Sequence, residues 1–107
     1  MNLPLKGLRV LTVEQFGAGP YGSMFLADLE AEVIKLEAPG RSDASRQVGP
    51  HELGEADSQY FQTFNLNKRS LTLDLKSARG QAVLHRLVAG ADALLNNLKG
   101  DQPENSA

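Results

Sequence analysis

The sequence has no cysteine, no long apolar run and no excess of charge of one sign. The absence of cysteine among 107 residues excludes a disulfide framework, a cysteine nucleophile and a thiolate metal site, and it is typical of a cytoplasmic protein. No apolar stretch approaches the roughly 18 residues of a membrane span, and the N-terminus shows no signal-peptide pattern. The net charge of −2, with acids and bases mixed, does not indicate a nucleic-acid partner. We therefore expect a cytoplasmic globular chain.

The first part of the sequence predicts a strand, a helix and a second strand. The apolar, β-branched runs 8–13 and 32–37 are typical of strands that are buried on both faces. Between them, residues 20–31 predict a helix. Its first turn contains a proline, whose missing N–H would have no partner in the helix at that position. The apolar side chains expected to face inward are Phe25, Leu26 and Leu29. Together these elements form a βαβ unit.

After a polar loop, the second part of the sequence again predicts a strand, a helix and a strand. Residues 38–57 are rich in glycine, proline, serine and charge and are interpreted as a loop, and the aromatic stretch 58–64 as a short helical turn. The alternation in residues 70–76 predicts a half-buried strand. Ser77 can cap a helix at about 78–90, and residues 91–97 predict a fourth strand.

The predicted fold class is α/β, a partial Rossmann-like parallel sheet in the order β-α-β-loop-β-α-β. The predicted helices are too few to cover both faces of four strands, so we interpret the chain as an incomplete N-terminal piece of a larger domain. We assign residues 1–98 to one α/β segment and residues 99–107 to a polar, disordered tail.

The glycines of residues 17–22, GAGPYG, match the G-x-G-x-x-G pattern of dinucleotide-binding turns, and Glu37 follows where a ribose-binding carboxylate belongs. Two features argue against NAD. Residues 14–16 separate the strand from the first glycine, and Pro20 removes an N–H from the place of the pyrophosphate. Tight packing of the turn, or close approach of its backbone to another ligand, is therefore favoured, and an acidic strand end such as Glu37 is also common at a surface.

Five stretches occur together in a characteristic order and spacing: PLKGLRVL, AGP, LADLEAEVIKLEAPGRSD, FNLNKRSLTLDLKS and ADALLNNLKGD. In this arrangement the sequence resembles class III CoA-transferases of the CaiB/BaiF type. That family includes formyl-CoA transferase, carnitine CoA-transferase and the related alpha-methylacyl-CoA racemases. The resemblance runs from Pro4 to about Glu104 and covers the N-terminal quarter of a typical member.

The resemblance implies a binding site for coenzyme A, the substrate carrier, with no metal and no NAD. Its residues would be Phe16, Gly17 and Ala18 in the turn after the first strand, Leu73 and Lys76 in the strand 70–76, and Asn97 and Leu98 in the segment NNLKG at the end of the fourth strand. In the family pattern Leu73 would lie beside the adenine and Lys76 toward the phosphates. Ala38 stands where the family usually has a basic residue, with Arg41 close by, and Glu30 stands where a glycine is common.

The other charged residues near these turns have alternative interpretations. A site for coenzyme A needs cations and backbone donors for its phosphates and apolar cover for its adenine. Lys68 and Arg69 could supply such cations, or they could be a solvated turn before a strand. Asp43 and Arg46 could pair with each other and order the loop.

The resemblance also implies a reaction whose catalytic residue lies beyond the matched region. Family transferases use an aspartate carboxylate that attacks the acyl-CoA thioester, and CoA then passes to a carboxylic acid. The racemases use a downstream His/Asp pair. We therefore assign no catalytic residue, interpret the aspartates and His51 and His85 as structural or solvated, and expect no turnover from these residues alone.

Three functional interpretations remain open. The chain is the CoA-binding part of a transferase, a fragment of a racemase of the same family, or a non-catalytic nucleotide-binding module that a partner chain completes. The family forms interlocked homodimers, so we expect a homodimer or association with a complementing chain. Acyl-CoA and carboxylate substrates are expected, and neither nucleic acid nor a membrane is.

Overall fold

The computed structural model describes residues 3–15, 17–40 and 43–97. Phe16, Leu98 and the predicted tail 99–107 lie outside these ranges. Along the chain the elements are β1 (Arg9–Val13), α1 (Ala18–Asp28), β2 (Glu32–Glu37), a 3-10 helix (Ala44–Gln47), β3 (Glu52–Gly54), β4 (Asp57–Ser58), α2 (Gln59–Phe64), β5 (Arg69–Thr72), α3 (Ala78–Ala89) and β6 (Ala93–Asn96).

Four of these strands form one parallel sheet in the order β5-β2-β1-β6. Counted along the chain, this is the order third, second, first, fourth, which matches the first four strands of a doubly wound dinucleotide-binding sheet. The predicted α/β class and the predicted parallel sheet are confirmed. The predicted loop also contains the 3-10 helix and the small antiparallel pair β3–β4, which the sequence pattern did not reveal.

The apolar core lies between α1 and the two central strands. Its buried members are Val10, Ala27, Ala31 and Val33, and Leu5, Leu26 and Leu95 pack against them. Because side chains alternate along a strand, Lys35 lies on the same sheet face as Val33, two residues nearer the carboxyl end. This face is therefore apolar at one end and charged at the other.

Helix α1 lies on the sheet through small side chains, and two predictions about it are wrong. Phe25 and Leu29, which were expected to face inward, are 50% and 40% exposed, whereas Ser23 and Ala27 are buried. Around Ser23, in the first turns of α1, the charged end of the sheet face lies beneath the helix, whereas Leu29 follows the last helical residue at the other end. Small residues let the helix approach closely there, and Ser23 donates a hydrogen bond to Glu14.

The predicted strand 70–76 is shorter and more exposed than expected. Strand β5 ends at Thr72, all four of its residues are exposed, and it forms an edge of the sheet. Asp74 turns the chain away, because its carboxylate accepts from the Lys76 N–H at 3.0 Å. The predicted cap of the next helix is confirmed, since the Ser77 hydroxyl accepts from the Gly80 N–H at 2.9 Å.

Candidate functional site

The candidate site lies at the carboxyl edge of the parallel sheet. Gly17 and Ala18 follow β1, and Asn97 follows β6, which is the neighbour of β1. From β1 the chain proceeds to β2 on one side, and it later returns to β6 on the other. The gap between β1 and β6 is thus a topological switch point, the place where open α/β sheets bind their ligands.

Asn97 holds the turn that follows β1. Its Nδ2 donates to the Gln15 carbonyl at 2.9 Å, and its Oδ1 accepts from the Gln15 N–H at 3.1 Å. This contact favours a glycine at position 19, because a Cβ there would lie 3.0 Å from both Asn97 Cγ and Glu14 Cβ and would push these side chains apart. A Cβ at Gly22 would meet nothing within 4 Å. Of the three glycines of the motif, Gly19 is therefore the most closely packed, since a Cβ at Gly17 would lie 3.7 Å from the Tyr60 hydroxyl.

The other two described residues of the predicted site lie farther along the same edge. Leu73 continues the pairing beyond β5, since its N–H donates to the Glu37 carbonyl at 2.9 Å, and its side chain is half-buried. Lys76 is exposed. Because β2 separates β5 from β1, Leu73 lies about 10 Å from the strand position of β1, two strand spacings away. A ligand that contacts both sets would have to extend across β2.

A buried ionic cluster lies beneath the β1 turn, and the sequence analysis did not predict it. Lys35 Nζ is 2.8 Å from Asp43 Oδ2 and donates to the Glu14 carbonyl at 3.2 Å, with the Lys35 side chain 1% exposed. Lys68 Nζ is 2.8 Å from Glu14 Oε1. The solvated-turn interpretation of Lys68 is therefore wrong. A lysine within the apolar strand EVIKLE is the signal that could have revealed this cluster, because a buried charge needs a buried partner.

A second group of polar contacts surrounds Glu37. Arg46 donates to both carboxylate oxygens of Glu37 at 2.9 Å, the Asp43 N–H donates to Oε1 at 2.9 Å, and the Ser70 hydroxyl donates to Oε2. Burial raises the pKa of Glu37, but the bonds from Arg46, Ser70 and Asp43 outweigh it and hold the pKa at about 2. The Arg46 guanidinium also lies 3.8 Å from the centroid of the Phe61 ring.

These contacts answer two questions that the sequence left open, one about Glu37 and one about Asp43 and Arg46. Glu37 is a buried, fully engaged carboxylate and not an acidic strand end at the surface. Asp43 and Arg46 do not form an ion pair with each other, since their side chains bind Lys35 and Glu37 respectively. In both groups the residues connect the carboxyl end of β2 to the segment that follows it.

A pocket of about 280 Å³ opens beside the two groups of charges. It is lined by the end of α2, the start of β5 and side chains of both groups, among them Lys35, Arg46, Phe61, Asn65, Lys68 and Arg69. Within the described ranges, no group of three or more histidine, aspartate or glutamate side chains could hold a metal ion. None of the helices described is long and apolar enough to cross a membrane.

Residues 5–106 match CoA-transferase family III, and the chain belongs to this family. It is 40% identical over 103 residues to succinate–glutarate CoA-transferase of Agrobacterium fabrum, covering 92% of this chain and 26% of that protein. It is 39% identical over 97 residues to formyl-CoA:oxalate CoA-transferase of Streptomyces avermitilis, covering 91% of this chain and 23% of that protein.

The fold is also similar to a solved structure of the same family. The crystal structure of a CaiB/BaiF family protein from Brucella suis matches with a TM-score of 0.89 and 38% identity, covering 99% of this chain and 29% of that one. The chain thus spans about a quarter of the length of the relatives it matches. The resemblance identified from the sequence is confirmed.

Proposed function

We propose that this chain forms the CoA-binding part of a class III CoA-transferase, which moves CoA between an acyl-CoA and a carboxylic acid. The observation that carries the proposal is the position of Gly17, Ala18 and Asn97 at the switch point between β1 and β6. The relatives support the reaction class, since their names describe CoA transfer between dicarboxylic acids and between formate and oxalate.

The roles follow the chemistry of coenzyme A. The backbone of Gly17 and Ala18 opens α1 without a side-chain cap, which leaves N–H donors in its first turn for the ligand. Half-buried Leu73 offers apolar cover to the adenine, and exposed Lys76 offers a cation to the phosphates. NAD is disfavoured because the Glu37 carboxylate is bound by Arg46 and does not face a ribose.

Catalysis is proposed to need residues beyond the matched segment. The family's aspartate would attack the thioester carbonyl and expel CoA as a thiolate, which then attacks the aspartyl carbonyl of the anhydride, releasing the donor carboxylate and leaving CoA as a thioester on the aspartate. The acceptor carboxylate would attack this thioester and expel CoA thiolate, which takes the acceptor's acyl group from the new anhydride and regenerates the aspartate. We do not propose turnover for residues 1–107 alone. A racemase of the same family, or a non-catalytic module, remains the alternative, and a homodimer or complementing chain in the cytoplasm is part of the same proposal.

Calorimetry with three ligands tests this proposal. The 107-residue chain is titrated with CoA, 3′-dephospho-CoA and NAD, and we expect CoA to bind the most tightly. Lys76→Met should weaken CoA about tenfold, because it removes one charge-assisted contact to a phosphate. Arg86→Met, an exposed change in the last turn of α3, is the control and should leave the affinity unchanged. Equal affinity for CoA and NAD would contradict the proposal.

A further inference from the structure

Lys68 binds three separate segments of the chain at one point. Its side chain is 2% exposed, and its Nζ donates to Glu14 Oε1 at 2.8 Å, the Pro20 carbonyl at 2.9 Å and Asn65 Oδ1 at 2.8 Å. An ammonium group has three donors, so all of them are used. The three acceptors lie after β1, in the first turn of α1, and just after α2.

Two of these acceptors stand on either side of the turn that carries Gly17 and Ala18. Glu14 precedes the turn and Pro20 follows it. Glu14 is held further, because the Ser23 hydroxyl donates to its Oε1 at 2.7 Å and Lys35 Nζ donates to its carbonyl at 3.2 Å. The turn itself contains two glycines, and Gly17, the residue before α1, caps the helix with no side-chain hydrogen bond. Its conformation therefore depends on the groups that hold its two ends.

Burying the Lys68 ammonium group between these three segments costs free energy, because the charge is removed from water. Burial lowers the pKa of Lys68, and the hydrogen bond and charge of Glu14 act in the opposite direction. An apolar side chain of similar length often stabilises a protein as well as a buried ion pair does. What an apolar side chain does not supply is three directional hydrogen bonds that converge from three segments.

We propose that Lys68 is a positioning residue of the CoA site: by joining Glu14, the Pro20 carbonyl and Asn65, it sets the conformation of the β1 turn against which coenzyme A lies. This inference rests on the proposed function for its ligand. Its geometric part, the order of the turn, stands independently and can be measured without any ligand.

Lys68→Met is the first variant, and it has two measurements. Calorimetry should show CoA affinity at least tenfold weaker than in the unchanged chain. Hydrogen exchange by NMR should show faster exchange of the Tyr21 amide, which donates to the Gly17 carbonyl at 2.7 Å in the first turn of α1, where the β1 turn ends. The Glu32 amide, which donates to the Leu8 carbonyl at the opposite edge of the sheet, reports general loss of stability. The Tyr21 effect should exceed the Glu32 effect at least tenfold.

Chemical rescue distinguishes a positioning role of the Lys68 ammonium group from a packing role of its side chain. Because the chain has no cysteine, Lys68→Cys carries a single thiol. In the unfolded chain its thiolate displaces bromide from 2-bromoethylamine, forming a C–S bond and giving a lysine analogue with sulfur in place of one methylene. After refolding, this product should regain CoA affinity and Tyr21 protection to within threefold. Alkylation with bromoethane gives a neutral side chain of similar size, which should restore neither.

Two further variants complete the test. Arg86→Met, which also removes an exposed cation, is the control and should change CoA affinity less than twofold. If Lys68→Met does not fold, Lys68→Arg is measured instead. It keeps the charge, but its planar guanidinium is a poor match for three acceptors around one nitrogen, so CoA should bind at least threefold more weakly.

The outcomes distinguish the two proposals. Unchanged CoA affinity and Tyr21 exchange in Lys68→Met, or in Lys68→Arg where that variant is used, would overturn the role of Lys68. Equal rescue by the neutral and the aminoethyl side chains would overturn it as well. If the unchanged chain does not bind CoA, the proposed function fails, whereas Tyr21 exchange still decides whether Lys68 orders the turn.

Discussion

The inner and outer strands of the sheet differ in how they are held. Strands β1 and β2 are largely buried, and at their carboxyl ends charged side chains connect them to α1, α2 and the following loop. The outer strands β5 and β6 are mostly exposed, and α3 buries only Gly80 and Leu84. The inner half is thus stabilised within the chain, whereas the outer half presents leucines that a larger assembly could cover.

Removing the charge of Lys35 should produce the largest effect. Lys35→Met leaves Asp43 buried without its cation, and the free energy of unfolding should fall by roughly 3–5 kcal/mol. Urea denaturation measures this loss. Lys35→Met combined with Asp43→Asn should recover at least half of it, since the second change removes the uncompensated charge.

The outer half supplies the control for this experiment. Leu94 in β6 is 51% exposed, and Leu94→Thr should change the free energy of unfolding by less than about 0.5 kcal/mol. An equal loss in Leu94→Thr and Lys35→Met would contradict the distinction between the two halves.

Acid should weaken the inner half through Glu37, whose pKa in the folded chain is about 2 against an ordinary value of 4.5. Because folding favours the ionised form, the Glu37 carboxylate contributes about 3 kcal/mol to the free energy of unfolding above pH 4.5. This contribution disappears as the pH falls toward 2. Urea denaturation of the native chain and of Glu37→Gln, repeated across this range, should give converging stabilities at low pH. Asp43, whose pKa is also lowered, adds to the slope of both proteins equally. Parallel curves would exclude the contribution of Glu37.

Smaller changes in the free energy of unfolding than those at Lys35 and Glu37 should come from Gly19 and Gly22, near the contact where β6 joins the inner half. Gly19→Ala forces a Cβ against Asn97 and should reduce the free energy of unfolding by about 1–2 kcal/mol. Gly22→Ala enters open space inside α1 and should increase it by roughly 0.5–1 kcal/mol. Thermal unfolding measures both, and the same sign for the two changes would refute the packing role of Gly19.

Elements with a strong local pattern could be predicted from the sequence. The runs at β1 and β2 and the cap at Ser77 were assigned correctly, since burial on both faces and capping leave clear marks in a short window. The antiparallel pair β3–β4 was missed because its two strands have only 3 and 2 residues. The exposure of Phe25 was missed because the helix pattern does not show that charges lie beneath it.

The residues of the candidate site also fall into a group that the sequence can propose and a group that it cannot. Sequence similarity proposes Gly17, Ala18, Leu73, Lys76 and Asn97 for the site, because each belongs to a short motif in a known order, and their contact with CoA stays a prediction. The ionic cluster could not be predicted, since Glu14 and Lys68 are 54 positions apart and nothing local links them. Only the lysine inside the apolar run of β2 indicated that buried carboxylates must exist elsewhere in the chain.

The bond between Asn97 and Gln15 joins residues 82 positions apart, and it has a consequence for how the chain is made. During translation, β1 and its turn leave the ribosome long before Asn97 is synthesised. At about 5–20 residues per second the delay is roughly 4–16 s. During that interval the turn lacks its hydrogen bonds to Asn97, and only contacts formed earlier in synthesis can stabilise it. We therefore expect a chaperone to bind the nascent chain mainly in these seconds.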